Sequence, residues 1–287
     1  MNSDCIRVSV IIPVYDQAVS LAIVLRFFDY QDYPQDCYEV IVVDDGSPSK
    51  ISNLIDTSAY GFSLLLLRQQ NLGRASARNR GVSKAQGELI VFCDADRIPH
   101  HSFISQHAHF HKYNRQAATF GCPWDCFYTK RRLQQAGRDD MVTLQKFSRL
   151  PAYYVKVRTL FSPTESRSPL AWTGFLTGNA SMRCETFHRV GGFDERFKTW
   201  GCEHFDLGYR LQKNQIRIFH TPSAANYHIP HKRKPGFYRY NIEKSVAVLV
   251  DKYPDTNIVY LKNFLLGELS LQAFERRYSQ GAPSAHL

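Results

Sequence analysis

The chain has 287 residues, 44% of them hydrophobic, which is enough to bury a full core as one domain or two closely packed subdomains. A formal charge of +10 fits an anionic ligand, but no recognisable nucleic-acid module accompanies it, so nucleic acid is not expected as a partner. Seven cysteines, an odd number with no Cys-x-x-Cys pair, argue against a disulfide framework, and no apolar run approaches the ~20 residues of a membrane span.

Residues 1–5 lead straight towards a strand with no charged leader and no apolar signal core, so the expected location is cytoplasmic. Arg7 to Tyr15 is a β-branched run that ends at Pro13, Val14 and Tyr15. Leu21, Val24, Leu25 and Phe28 then fall at i, i+3, i+4, i+7, the apolar stripe of a crossover helix. Tyr38 to Ser47 is a second such run, closing on Asp44-Asp45-Gly46-Ser47. The segment 48–60 is polar and compatible with a second helix, and Phe62 to Leu67 reads as a third strand. Gly73 opens another helix through Gly81, which leads into the apolar run Glu88 to Cys93. Cys5 and Cys93, beside or within these strands, read as small core residues. Continuous rather than alternating hydrophobicity calls for strands buried on both faces. The expected architecture is α/β: a Rossmann-like, mostly parallel central sheet with helices on both faces.

The run to Cys93 ends in Asp94-Ala95-Asp96. Two carboxylates there stand at the carboxyl edge of a sheet, where open α/β sheets bind ligands. Their oxygens suit a hard divalent ion such as Mg²⁺ or Mn²⁺, which in turn suits a diphosphate. Five histidines follow (His100, His101, His107, His109 and His111), and without a partner carboxylate motif they read as a mostly solvated helix. Residues 122–171 carry no recognisable signature. Trp172 precedes Gly191-Gly192-Phe193-Asp194, and Trp200-Gly201-Cys202-Glu203-His204 opens a helix expected over Glu203 to Lys213, with Leu207 and Leu211 one turn apart. Val246, Leu249 and Val250 suggest a helical tail, with a disordered end from Gln280.

Taken together, Val-Ile-Ile-Pro-Val-Tyr, Val-Val-Asp-Asp-Gly-Ser, Asn71-Leu72-Gly73 with Ala77-Arg78-Asn79-x-Gly81, and Asp94-Ala95-Asp96 resemble the family 2 glycosyltransferases of GT-A fold. The block from Gly191 to Leu211 resembles the acceptor-side half of galactosyltransferase-like and chondroitin-polymerase-like enzymes, extending the likeness to about three quarters of the chain. The resemblance implies a nucleotide-sugar half at 1–98, an acceptor-binding and catalytic half at 99–235, and C-terminal lid and packing helices at 236–287.

It further implies that Asp96 is a metal ligand and that Asp94 faces the ribose or the metal. Pro13, Val14, Tyr15, Asp44 and Asp45 would hold the nucleoside, and Arg78 would reach its base or phosphates. Ala224 to His231 resembles a segment that delivers a histidine metal ligand, with His228 the first candidate and His231 the alternate. Where the galactosyltransferase-like pattern has an aspartate base, this chain has His204. The helix N-terminus carries partial positive charge, favouring ionised carboxylates and a neutral imidazole, so Glu203, His204 and Asp206 all remain candidate bases. Trp172, Trp200 and Gly201 are the candidate acceptor contacts.

The expected activity is metal-dependent, inverting transfer from a nucleotide sugar, a UDP-sugar in particular, to a glycan, lipid-linked or peptide acceptor. A non-catalytic nucleotide-sugar-binding or scaffold protein is the alternative. Nucleotidyltransferases and dinucleotide oxidoreductases are disfavoured because Pro13-Val14-Tyr15-Asp16 is not a glycine-rich phosphate loop. The loop His228 to Tyr240 would act as a lid that brings Lys232, Arg233 or Lys234 to the phosphates, and its basic stretch His231 to Tyr240 would hold the protein peripherally at an anionic leaflet.

Overall fold

The structure, a computed structural model, describes residues 5–254 and 256–280. Among the described residues nine strands form one sheet: β1 (Val8–Val14), β2 (Tyr38–Asp44), β3 (Ser63–Arg68), β4 (Leu89–Cys93), β5 (Arg97–Pro99), β6 (Ala118–Cys126), β7 (Ser148–Arg149), β8 (Asn179–Arg183) and β9 (Ile218–His228). The order across the sheet is β3-β2-β1-β4-β8-β6-β9-β5, with β7 paired to β6. The first four strands are parallel neighbours. β8 then joins β4 antiparallel, so the sheet divides into a nucleotide-type half and a mixed half.

Alternate residues of the apolar runs enter two separate cores. Val10, Ile12, Val40, Val42 and Val91 pack on the face of helix α1 (Ala18–Phe28). Ile11, Ile41, Val43, Ile90 and Phe92 pack on the opposite face, under helix α2 (Arg74–Val82). This is the two-sided burial that continuous hydrophobicity requires. Gly81 lets α2 lie close to the sheet, since a Cβ there would stand 2.6 Å from Ile11 Cγ2.

Three local expectations are corrected. Residues 48–60 form two 3₁₀ turns, Ile51–Asn53 and Thr57–Ala59, rather than a crossover helix. Their Ser, Asn, Asp and Thr side chains compete for backbone partners, as Asp56 does by accepting from Ser58 N. Cys5 is not a plain core residue but is disulfide-bonded to Cys37, fastening the segment before β1 to the start of β2. Helix α3 (Phe103–Tyr113) is not mostly solvated, because His107 and His111 are fully buried on it and share Ser181 Oγ at 2.9 Å.

Helix α4 (Glu203–Lys213) and helix α5 (Phe237–Lys252) complete the elements around the site. The tail is helical over Tyr260–Leu265 and Leu271–Ser279 and packs back on the core through Leu261, Phe264 and Phe274. Apart from Gln280, the end expected to be disordered lies outside the described residues. No helix among the described residues is long and apolar enough to cross a membrane.

Candidate functional site

The carboxyl ends of β1, β2 and β4 open into one cavity of about 450 Å³, a size suited to a nucleotide ligand. Pro13, Val14, Tyr15, Asp45, Asp94 and Asp96 line it, together with the cations Arg74, Lys130, Lys198 and Arg233. Trp200 and Phe237 close its far side, their ring centroids 5.8 Å apart. The cavity therefore has an acidic floor and a basic rim.

The two aspartates of the second strand turn separate ways. Asp44 is buried, accepts from Ser47 N at 2.8 Å and pairs with Arg68, so it fixes the turn rather than reaching for a nucleoside. Asp45 accepts from Leu72 N at 3.0 Å and Gly73 N at 2.9 Å, which seats the loop before α2 at the cavity edge. Gly73, at φ +96°, is needed there because a Cβ would stand 3.1 Å from the Lys198 carbonyl oxygen.

Asp94 and Asp96 also divide. Asp94 accepts from Arg78 Nη2 at 2.8 Å, and Arg97 Nε lies 3.8 Å from its other oxygen. Burial alone would raise its pKa, but the guanidiniums of Arg78, Arg74 and Arg97 outweigh that and hold it well below the usual carboxylate range. Both oxygens of Asp94 thus face guanidinium groups, so it stands apart from the metal-type cluster expected to include it.

That cluster is Asp96, His228 and His231, whose ligand atoms all lie within 4.8 Å of one another. The sheet assembles it. Ile229 N donates to the Asp96 carbonyl at 2.7 Å, and β5 pairs with β9 so that Arg97 stands opposite His228. Asp96 Oδ2 lies 3.8 Å from His228 Nε2 and 3.5 Å from His231 Nδ1, and it accepts from Gln17 Nε2 at 3.0 Å. On the other side of β9, Asp125 of β6 stands opposite His228 and accepts from its Nδ1 at 3.3 Å. One carboxylate oxygen and two imidazoles form a donor set that fits a divalent ion.

Arg78 lies elsewhere than expected. Its side chain is 1% exposed and bridges Asp94 to Glu203 Oε1 at 2.9 Å, with the Phe193 ring 5.3 Å away. It ties the floor of the cavity to the start of α4 and does not line the cavity. Glu203 is buried, with Oε2 lacking a hydrogen-bond partner among the described residues and His204 Nδ1 at 4.0 Å. Burial lowers the His204 pKa to about 4, Glu203 pulling it up and Arg78 down, so the imidazole is neutral at pH 7.

Asp206 does not face this space. It is fully buried, held by Arg210 Nη2 at 2.7 Å, Lys252 Nζ at 2.7 Å and the Tyr253 hydroxyl at 2.8 Å, and it anchors α4 to α5. Trp172 is likewise 0% exposed, packed edge-on against Phe205 and Tyr209 in the core, where it cannot stack on an acceptor. Gly201, at φ +133°, lies against Ser245 and lets Trp200 reach the cavity. Sequence reasoning missed Asp125, whose role depends on the β6–β9 register, and Gln17, whose only advance signal was its place just after the first strand.

Residues 9–191 match the glycosyl transferase family 2 profile, and residues 160–232 match the N-terminal domain of galactosyltransferase. The validoxylamine A glucosyltransferase of Streptomyces hygroscopicus subsp. jinggangensis is 28% identical over 78% of this chain and 56% of its own length. The chondroitin synthase of Escherichia coli is 24% identical over 77% of this chain and 34% of its own length. The chain thus spans about half the length of the first of these relatives and a third of the second.

Among solved structures, Staphylococcus aureus TarS 1–349 in complex with UDP-GlcNAc superposes with a TM-score of 0.64 at 17% identity, covering 93% of this chain and 74% of that one. The mannosyltransferase PcManGT from Pyrobaculum calidifontis, in complex with GDP-Man and Mn²⁺, gives 0.60 at 20% identity over 87% of this chain and 65% of that one. With its parallel nucleotide-type half, its cavity at the strand ends and a family profile matched over more than half its length, the chain has the GT-A fold and belongs to glycosyl transferase family 2.

Proposed function

We propose that the protein transfers a sugar from a UDP-sugar to an acceptor hydroxyl with inversion, in a metal-dependent reaction of glycan or glycoconjugate biosynthesis. The observation that carries this reading is the cluster of Asp96, His228 and His231 at the acidic floor of a cavity rimmed by Arg74, Lys198 and Arg233. Asp96 and His228 would hold the divalent ion, Mn²⁺ or Mg²⁺, which when bound offsets the negative charge of the leaving diphosphate.

The protein's own groups supply the rest. Arg74, Lys198 and Arg233 stand where the phosphates would lie, and Pro13 to Tyr15 with Asp45 border the nucleoside end. Glu203, tied to Asp94 through Arg78, is the candidate base for the acceptor hydroxyl, and the neutral His204 beside it is the second. A single displacement on the face opposite the leaving group needs only one such base. Trp200, half-buried on the cavity wall, would border the acceptor. The exposed Lys232 and Lys234 suit a peripheral position at an anionic leaflet, where a lipid-linked acceptor would be met on the cytoplasmic face.

The test is a panel of UDP- and GDP-sugars with and without Mn²⁺, read as nucleotide released and as the anomeric configuration of the product by NMR. Metal-dependent release from a UDP-sugar with inverted product is expected. Equal release in chelator, preference for a GDP-sugar or a retained configuration would each overturn the corresponding part of the reading.

A further inference from the structure

The excursion of the chain between β6 and β7 has two unlike sides. Its inner side chains, Tyr128, Leu133, Ala136, Met141 and Leu144, are buried in the core that also holds α1. Its outer side exposes Lys130, Arg131, Arg132, Arg138, Lys146 and, at its end, Arg149, against only Asp139 and Asp140, a net +4 of the chain's +10. None of the six cations forms an ion pair among the described residues, and Arg149 stands opposite Asp125 in the β6–β7 ladder without bonding to it. The stretch from His231 to Tyr240 differs. There Arg233 lines the cavity, 4.6 Å over the Phe237 ring, and Arg239 pairs with Glu243 at 3.5 Å and Glu268 at 3.2 Å.

Three large apolar side chains stand among these charges: Phe127, Val142 and Phe147 are 56%, 63% and 52% exposed. Singly, such residues are ordinary on a protein surface. Here contacts join them to the cations. Phe127 N donates to the Phe147 carbonyl at 2.9 Å, and the Arg149 guanidinium lies 4.9 Å over the Phe127 ring. The Phe147 ring is 5.3 Å from that of Tyr128, which Arg132 covers at 4.3 Å. On the helix Met141–Lys146, Met141 and Leu144 face inwards, so Val142 and Lys146 share the outer stripe one turn apart. The patch runs to the site, because Lys130 begins the helix Lys130–Gln135 and lines the cavity.

We propose that this surface docks the protein on an anionic bilayer, with Phe127, Val142 and Phe147 entering the headgroup layer and the surrounding cations resting among lipid phosphates, so that the cavity opens beside a lipid-linked acceptor. The inference rests on the peripheral-membrane part of the reading above and assigns it to this surface rather than to the loop after β9. The side chains favour lipid over a soluble polyanion. A polyanion needs only the charges, whereas phenylalanine and valine gain free energy by leaving water for the acyl boundary. Each basic residue brought to such a surface strengthens binding roughly fivefold, within about one Debye length.

The experiment is sedimentation of the full chain with vesicles of phosphatidylcholine, with and without phosphatidylglycerol. Binding that requires phosphatidylglycerol and weakens in high salt is expected. Arg131→Gln/Lys146→Gln should lower the partition roughly 25-fold, from two cations at about fivefold each. Phe127→Ser/Phe147→Ser should lower it even at low salt, where the charges alone act most strongly. Lys232→Gln/Lys234→Gln should lower it much less than the first pair.

Arg131 and Lys146 are exposed, so their double variant should keep the native thermal melt and the native rate of UDP-sugar hydrolysis, and it carries the test even if the aromatic pair loses stability. No binding to either vesicle, equal binding to both, capture by heparin without binding to vesicles, or a larger loss in Lys232→Gln/Lys234→Gln would overturn the proposal. Sugar transfer is scored separately. Vesicle binding without nucleotide release from any UDP-sugar would leave this inference standing and remove the functional one, and release without vesicle binding would do the reverse.

Discussion

Replacing Arg78 with methionine isolates the link that joins the two halves of the site. The guanidinium is 1% exposed and donates to Asp94 Oδ1 at 2.8 Å and to Glu203 Oε1 at 2.9 Å, so its loss strands two carboxylates, one of them only 3% exposed. Methionine nearly fills the space and keeps the contact with Phe193, which leaves charge as the main change. Removing one partner of a buried ion pair costs about 3–5 kcal/mol, and Arg78→Met is expected to fall in that range. Glu203→Gln alone should cost less, because Arg78 keeps Asp94. The double variant Arg78→Met/Glu203→Gln should be less damaged than the two single effects combined, by roughly 2 kcal/mol, since the more buried of the two stranded charges has then been removed. Urea denaturation of the four proteins closes the cycle. A loss below about 1 kcal/mol for Arg78→Met, or strictly additive effects, would refute the buried bridge.

Other predictions concern chemistry, acid stability and the loop. Replacing the true base among Glu203 and His204 should cut turnover by roughly 10²–10⁴ with little change in donor affinity, and near-normal turnover in both Glu203→Gln and His204→Ala would place the base elsewhere. Because the His204 pKa is lowered to about 4, mainly by burial, its loss should not remove a kinetic limb near pH 6.5. Burial lowers the His107 pKa from 6.5 to about 4, the bond to Asn179 opposing it. The unfolded chain therefore takes up a proton between these values that the folded chain refuses. The stability from this group is complete above pH 6.5 and lost as pH falls towards 4, by up to roughly 3 kcal/mol. Urea unfolding of the native protein and His107→Gln at pH 7 and pH 4.5 should show a shallower acid loss in the variant, and parallel curves would refute this. Trypsin should cut after Lys232 or Arg233 in the free protein and be slowed by UDP with Mn²⁺ but not by UDP with chelator, whereas equal cutting throughout would refute a closing segment.

Much of the fold was legible because burial on both faces leaves a continuous apolar run. β1, β2 and β4 could be read from their letters, and α4 covers Glu203–Lys213 as its spacing implied. The polar segment 48–60 defeated that approach, since its serines, asparagine and aspartate satisfy the backbone locally and stop short of a helix. Within the site, Asp96 was readable from its place in the turn just after β4 and His228 from the resemblance of its segment, and the fold brings the two within 3.8 Å. The direction a side chain takes was not readable. Asp44 turns to Arg68, Asp206 to Lys252 and Arg78 to Glu203, partners that are 24, 46 and 125 residues away. The burial of His107 and His111 depends on Ser181 of β8, and the position of Asp125 behind His228 depends on the β6–β9 register, neither of which has a local signature. Trp172 shows the same limit, because an aromatic that could stack on a sugar and one that fills a core are written with the same letter.

A nucleoside diphosphate is expected to bind at the carboxyl edge of β4 through an ion held by Asp96. Isothermal titration of UDP, in Mn²⁺ and in chelator, on the native protein and on Asp96→Ala tests it most directly. UDP is expected to bind the native protein in Mn²⁺, to bind markedly more weakly in chelator, and to lose the Mn²⁺-dependent part in Asp96→Ala with an unchanged thermal melt. Equal UDP affinity in the two proteins, with Mn²⁺ present, would contradict it.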